Sequence, residues 1–322
     1  MFALTAIAQK RLKGICYVFP SMSLIAQPSE PIPECMRVNW DISLFNSVIL
    51  SSTEAACLFI FGSCIGSFLN VCIDRWPKDQ SIFRPRSHCP HCQTLIPWYL
   101  NVPVVTWLLL KGKTSCCGNR IPIRYILSEV GMGLLAVLTI TFAKPIAIPC
   151  FILICLLWIA FFTDCETLLI PDQVTLSGLP LGILLSAFYP QLQLTSNAFE
   201  AVKESLIGMC IGAGSLFLIA SIAEFFIKEE ALGFGDMKLL GCIGAFLGTF
   251  GCLYTLLFGS IFGTIFLVVY GGFTKIFHLK TDVIRHRRMA FGPFLVLGTV
   301  TYMAILWLHP NALCSFACTD EF

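Results

Sequence analysis

The chain has 322 residues, 57% of them hydrophobic and 12% charged, with a net charge of +2 and a mean hydropathy of +0.81. A soluble domain carries about 25% charged residues, so this composition excludes a disordered chain, a soluble enzyme and a basic nucleic-acid binder. An all-α polytopic membrane protein is left, because long unbroken apolar runs dominate over the alternating segments of about ten residues that a β-barrel needs.

Residues 1–46 fit no span. Lys10, Arg11 and Lys13 precede a weak apolar stretch, 14–26, broken by Pro20. The region reads as a signal-like segment, a dispensable extension, or sequence preceding a start at Met36. Beyond it, eight apolar runs of transmembrane character follow, roughly 47–70, 125–143, 146–163, 174–190, 205–227, 237–250, 253–273 and 290–308. The sixth is short, and the sequence around Phe250 and Gly251 carries no charge, which suits a tight hairpin there. A tail, 309–322, closes the chain and holds Cys314 and Cys318, whose spacing of four is poor for a disulfide inside one helix.

The basic residues fix an expected orientation. Of 21 Lys and Arg, eight lie in 75–124, five in 275–288, and Lys228 and Lys238 flank the fifth–sixth connection. Only Lys144 and Lys203 fall in the opposite loops. The positive-inside rule therefore places 75–124, 164–173, 228–236 and 274–289 in the cytoplasm, with both ends of the eight-span bundle outside. The loop 275–288 reads as a lipid-facing, topology-setting stretch.

Carboxylates in or at the edge of membrane helices are costly and mark function. Glu129 lies about one turn into the second span, Asp164 ends the third, Asp172 precedes the fourth, Glu224 is near the end of the fifth and Asp236 opens the sixth. All five fall near the predicted cytoplasmic boundary. Asp164 and Asp236 are separated by two spans, so the chain leaves and returns to the same face between them. Gly233 and Gly235 frame Asp236 in a G-x-G-D pattern that lets the backbone approach a substrate strand and puts the acid at a helix start. Pro171 restarts the helix after Asp164. Helix capping at an aqueous interface is the plain alternative for each lone aspartate.

The cytoplasmic segment 75–124 contains Cys89-Pro90-His91-Cys92 and then Cys116-Cys117. A C-x-x-C pair followed about 25 residues later by a second pair reads as a zinc site. A reducing cytosol argues against a disulfide, and a segment this short gains a core from a metal.

With these motifs in hand, the sequence resembles the type IV prepilin peptidases, the bifunctional leader peptidases and N-methyltransferases of pilus and type II secretion systems. Residues 164–172 match that family's D-x-x-x-x-x-(I/L)-P-D segment, and 233–240 (GFGDMKLL) its G-x-G-D-x-K-L motif. Residues 66–71 (GSFLNV) and 291–295 (FGPFL) match its first and last spans. The resemblance covers about 47–308 and implies a bacterial inner-membrane, multi-pass aspartic endopeptidase with its active site facing the cytoplasm. It implies a catalytic pair, Asp164 and Asp236, supported by Asp172, Gly233, Gly235 and Lys238, acting in a peptidase region 144–308. The implied partners are prepilins or pseudopilins and the lipid bilayer, with no nucleic acid. Cleavage would follow Gly at the end of a basic leader; Glu166 and Asp172 either attract that leader or are solvated loop charges.

The second implied activity is methylation of the new N-terminus from S-adenosylmethionine, associated with region 47–143. The candidates are Gly66, Asn70, Arg75, Arg124 and Glu129. Their plain alternatives are helix packing for Gly66, topology anchors for the two arginines and a helix cap for Asn70; Glu129, inside a span, is the least readily explained as structure. The family's second cysteine pair is itself C-x-x-C, and here Thr114 stands at the expected third cysteine. Three readings follow: Cys116 takes that place, His88 or His91 fills it, or the site is degenerate. Two rivals remain at this stage, a peptidase without methylation and a proton- or cation-coupled transporter.

Overall fold

A computed structural model describes residues 50–84, 86–89, 91–227, 233–276 and 290–308. The extension 1–46, Lys228, most of the basic loop 275–288, and Cys314 and Cys318 lie outside the described residues.

The described residues are overwhelmingly helical. Helix α1 (Ser52–Arg75) begins in a capping box, in which the Ser51 hydroxyl accepts the Glu54 amide and the Glu54 carboxylate accepts the Ser51 amide. The short α2 (Val105–Leu109) lies in the segment 75–124. Then come α3 (Ile123–Phe142) and α4 (Ala147–Thr167), which ends where Leu168 takes a left-handed conformation. Helices α5 (Asp172–Phe188), α6 (Ala198–Ile227), α7 (Phe234–Ile276) and α8 (Gly292–Leu308) complete the set. Helices α1, α3, α4, α6 and α7 are long and apolar enough to cross a membrane; α5 and α8 are shorter apolar helices. The chain is a multi-pass membrane protein, and its large exposed side chains, such as Phe225, Phe226, Val268 and Val269, suit lipid rather than water.

The expected hairpin between the sixth and seventh spans is real but sits slightly earlier. Within α7, Gly248 breaks the helix with φ +68° and ψ −169°, a conformation open to glycine. The packing registers show a reversal there. Before Gly248, α7 runs alongside α5, with Cys242 beside Gly178 and Phe246 beside Gly182. After it, the chain runs antiparallel to α8, with Gly251 beside Tyr302, Thr255 bonded to Thr299 and Gly259 against Phe294. A broken helix in a membrane leaves carbonyls that need donors. The buried Gln193 side chain supplies them, donating to the carbonyls of Ala245 and Phe246 at 3.1 Å each, and the Ser205 hydroxyl adds a bond to Ala245 at 2.6 Å.

Two close packings organise the bundle. Helix α1 packs on α3, and α6 on the first half of α7. At Gly66 a Cβ would collide with the Ser128 carbonyl, so α1 and α3 meet backbone to backbone. At Gly208 and Gly244 the same holds between α6 and α7. The core lies where α4 meets α5, α7 and α8, around Leu153, Leu157, Leu240, Ile243, Phe246 and Leu295, all fully or nearly fully buried.

Candidate functional site

Asp164 is in the last turn of α4 and Asp236 in the first turn of α7, and both are buried, at 5% and 8% exposure. They come to one end of the bundle and lie within electrostatic reach of each other. Ile170, from the α4–α5 connection, sits against Gly235, next to Asp236, and against Gly292, which touches Asp164. A Cβ on Gly235 would stand 3.2 Å from Ile170 Cβ, and a Cβ on Gly292 would stand 3.3 Å from Ile170 Cδ1. The bare backbone at Gly235 thus admits Ile170 rather than leaving open space. Gly233 accepts the amide of Asp236 at its carbonyl, 3.2 Å away, which starts α7.

The two aspartates differ in their partners. Asp164 Oδ2 accepts the backbone N–H of Gly292 at 2.9 Å. Among the described residues, Asp236 Oδ1 is buried without a hydrogen-bond partner. An unpartnered buried oxygen is costly in a folded protein and marks a group available to something else.

Asp172 does not cap its helix. Pro171 holds the N-cap position, Asp172 is the first helical residue, and its carboxylate takes Lys238 Nζ at 2.7 Å. Glu166 is engaged by Arg124 at 3.2 Å rather than standing free.

Arg124 opens a network that sequence reading missed in part. Its side chain is 9% exposed and bridges Glu166 of α4 to Asp74 of α1, while the Tyr125 hydroxyl donates to the other Asp74 oxygen. Asp74 carries no motif, and its only signal is its place beside Arg75 at the end of a span. Asn70 donates to the Tyr125 carbonyl at 3.3 Å from inside α1, so it joins α1 to α3 and caps nothing; its Oδ1 is buried without a partner. Glu129 Oε2 accepts the amide of Val104 at 2.7 Å, where the chain turns with φ +63° into α2. An intramembrane carboxylate thus anchors the segment 75–124. Arg75 donates to the carbonyls of Ser81 (2.9 Å) and Ile82 (3.2 Å), folding the loop back over the end of α1. Beside it lies a cavity of about 270 Å³ whose lining includes Phe68, Arg75, Phe83, Arg86 and Asn101.

The cysteines converge. Two turns, closed by isolated bridges between His88 and Leu95 and between Lys113 and Arg120, face each other. Their sulfurs from Cys89, Cys92, Cys116 and Cys117 all lie within 4.8 Å of one another. Cys89 and Cys117 are 3.8 Å apart and Cys92 and Cys116 3.2 Å. Cys116 therefore occupies the third place. Thr114 places its hydroxyl 3.2 Å from the Cys117 sulfur, and neither His88 nor His91 belongs to the cluster. Hydrogen bonding from Thr94 draws the Cys92 thiol down to about 6, and the adjacent Cys92 sulfur pushes Cys116 up to about 12. Four sulfurs so placed are close enough to share one metal ion.

Two family models match the chain. The family model described as Bacterial Peptidase A24 N-terminal domain matches residues 60–143, and that described as Type IV leader peptidase family matches residues 151–268. Curated relatives carry the name Prepilin leader peptidase/N-methyltransferase. That of Pectobacterium carotovorum subsp. carotovorum is 30% identical over 270 residues, 76% of this chain and 90% of that protein. That of Klebsiella pneumoniae is 37% identical over 212 residues, 63% of this chain and 89% of that protein. That of Myxococcus xanthus (strain DK1622) is 38% identical over 208 residues, and the match spans 60% of its length. No solved structure matches the chain.

Proposed function

The chain belongs to the type IV leader peptidase family, and from that premise we propose that it cleaves the basic leader from a prepilin or pseudopilin after Gly and N-methylates the new terminus. The observation that carries the reading is the meeting of two buried aspartates, Asp164 and Asp236, at one end of the helices. The transporter reading is set aside, since the matching family models and relatives are those of leader peptidases.

Two carboxyls in one site share a proton, because both do not ionise easily together. The ionised member takes a proton from a water, whose oxygen adds to the scissile carbonyl, while the protonated member donates to the carbonyl oxygen. Collapse breaks the C–N bond, and the leaving amine takes a proton from the pair. Asp172, Lys238, Gly233 and Gly235 act as supports, holding the α4–α5 connection against the start of α7. The excess of Lys and Arg in the loops at this end of the bundle supports a cytoplasmic, inner-membrane-facing site, where a leader remains while its apolar helix lies in the bilayer. The peptidase region is 144–308 and the methylation region 47–143.

S-adenosylmethionine supplies an electrophilic methyl group. The cavity beside Arg75 suits its chemistry: Arg75 and Arg86 would take its carboxylate, and Phe68 and Phe83 would face its purine. Zinc fits the cysteine cluster. Thiolates about 2.3 Å from a tetrahedral zinc stand about 3.8 Å apart; Cys89 and Cys117 match that at 3.8 Å, and Cys92 and Cys116, at 3.2 Å, would open slightly to take the ion. Its role there is structural, tying the two turns together.

Mass spectrometry of a pilin processed by this protein tests the reading. A cleaved, methylated N-terminus supports both activities. A cleaved, unmethylated one leaves a peptidase alone, and an uncleaved substrate removes the proposal.

A further inference from the structure

The motif around Gly292 is not used by the mechanism above, yet it touches the site. We propose that Gly292 is a positioning residue for the aspartate pair: its backbone N–H holds Asp164 as the ionised, proton-accepting member and so leaves the shared proton on Asp236. This rests on the reading of Asp164 and Asp236 as the catalytic pair.

Three observations carry it. First, Gly292 N–H lies 2.9 Å from Asp164 Oδ2, in a buried bond between residues 128 apart in the chain. A backbone amide only donates, so Asp164 Oδ2 accepts, and a bond donated to a carboxyl is stronger when the carboxyl is ionised and so favours that form. Second, this amide opens the 17-residue α8 and is followed by Pro293, which has no N–H. Amides of a first helical turn have no partner within their own helix, and the positive end of the helix favours an anion beside it. Third, among the described residues Asp236 Oδ1 is buried with no hydrogen-bond partner. A proton there remains free to reach the scissile carbonyl.

The same contact explains why position 292 lacks a side chain. A Cβ there would stand 2.6 Å from Asp164 Oδ2 and 3.2 Å from its carboxyl carbon, closer than such contacts allow. Any other residue would push the carboxyl off the amide or the amide off the carboxyl.

The test separates the hydrogen bond from the space. Incorporating glycolic acid at position 292 in the full chain replaces the N–H with an ester oxygen and adds no bulk. The expected result, with a purified prepilin as substrate, is a kcat for leader cleavage about tenfold to a hundredfold lower, with KM within threefold. Gly292→Ala, which adds the bulk, lowers kcat at least as far. A glycolate variant with unchanged kcat, or one that loses kcat and KM together, overturns the positioning role. The proton assignment has its own arm. Asp236→Asn keeps an N–H that donates to the carbonyl, whereas Asp164→Asn has no base, so residual cleavage is expected to be at least tenfold higher in Asp236→Asn. The reverse order, or equal residues of activity, overturns the assignment. Wild-type cleavage in both variants instead removes the aspartate pair itself, a distinct outcome.

Discussion

Lys238 Nζ lies 2.7 Å from Asp172 Oδ1, so the flanks of the two aspartates, 66 residues apart, are pinned to each other. The lysine is 38% and the aspartate 59% exposed, and an exposed pair of this kind contributes about 0–1 kcal/mol. Asp172→Asn is therefore expected to retain leader cleavage within about threefold of wild type and to cost less than about 1 kcal/mol of stability. Asp164→Asn and Asp236→Asn are expected to reduce cleavage by more than a hundredfold at normal membrane abundance. Immunoblots of membranes expressing each variant with a prepilin read both quantities; full processing by Asp164→Asn defeats the assignment.

Arg124 joins α1 to α4 through a nearly buried guanidinium that meets Asp74 and Glu166 at once. A planar fork reaches two carboxylates in different directions, and an ammonium does not. Arg124→Leu is expected to lower stability by about 1–3 kcal/mol, the range for leaving a buried hydrogen-bonding group without its partner, with the partly exposed carboxylates keeping the loss at the lower end. Arg124→Lys should restore less than half of it. Thermal unfolding in detergent gives the comparison, and a lysine variant as stable as wild type would show that only the charge matters.

Glu129 has a structural task as well as its proposed one, since it takes the Val104 amide at 2.7 Å. Glutamine keeps an acceptor oxygen for that amide and removes the charge. If the carboxylate holds the substrate amine for methylation, Glu129→Gln and Glu129→Ala both leave cleavage intact and both abolish methylation, as read from pilin mass. Methylation surviving in Glu129→Gln alone would reduce the residue to an anchor for the loop.

Much of this architecture is legible in the sequence because membrane helices are written as long apolar runs, and all eight expected runs correspond to helical segments, with the sixth and seventh meeting at Gly248 instead of near Phe250. The two-residue difference has a physical source: Gly248 and Gly251 are equally plausible breaks in sequence, and only the donors Gln193 and Ser205 make one of them affordable. Asp164 and Asp236 were legible as acids returning to one face. What surrounds them was not. Asp74 pairs with Arg124 across 50 residues, a partnership set by how α1 and α3 rotate against each other, which apolar runs with little amphipathic contrast do not specify. The amide of Gly292 is a backbone group, invisible to any reading of side chains. The cysteine cluster lies between these cases: spacing announced a metal site, but choosing Cys116 over His88 or His91 required the facing turns.

That choice can be tested by moving a ligand. Thr114 and Cys117 already touch through oxygen and sulfur at 3.2 Å, and Cys116 stands 3.2 Å from Cys92 on the other side of the cluster. A structural zinc bound by four thiolates contributes to folding directly. The purified protein is therefore expected to carry about one zinc per chain and to unfold at lower temperature after prolonged chelation. Cys116→Ser should lose most of the metal, since three thiolates leave a tetrahedral site open. Adding Thr114→Cys to that variant supplies a sulfur two residues away, on the same turn and beside Cys117, and is expected to recover at least half of the bound zinc. Zinc retention should also fall on acidification, because a thiolate ligand must lose its proton to bind and a rising proton concentration competes with the metal. Elemental analysis of the three proteins across pH supplies the measurement. A Cys116→Ser variant that keeps its full zinc would mean that the ion, if bound, does not use Cys116; a wild-type protein free of zinc and indifferent to chelator would mean that the four sulfurs hold the turns together without it.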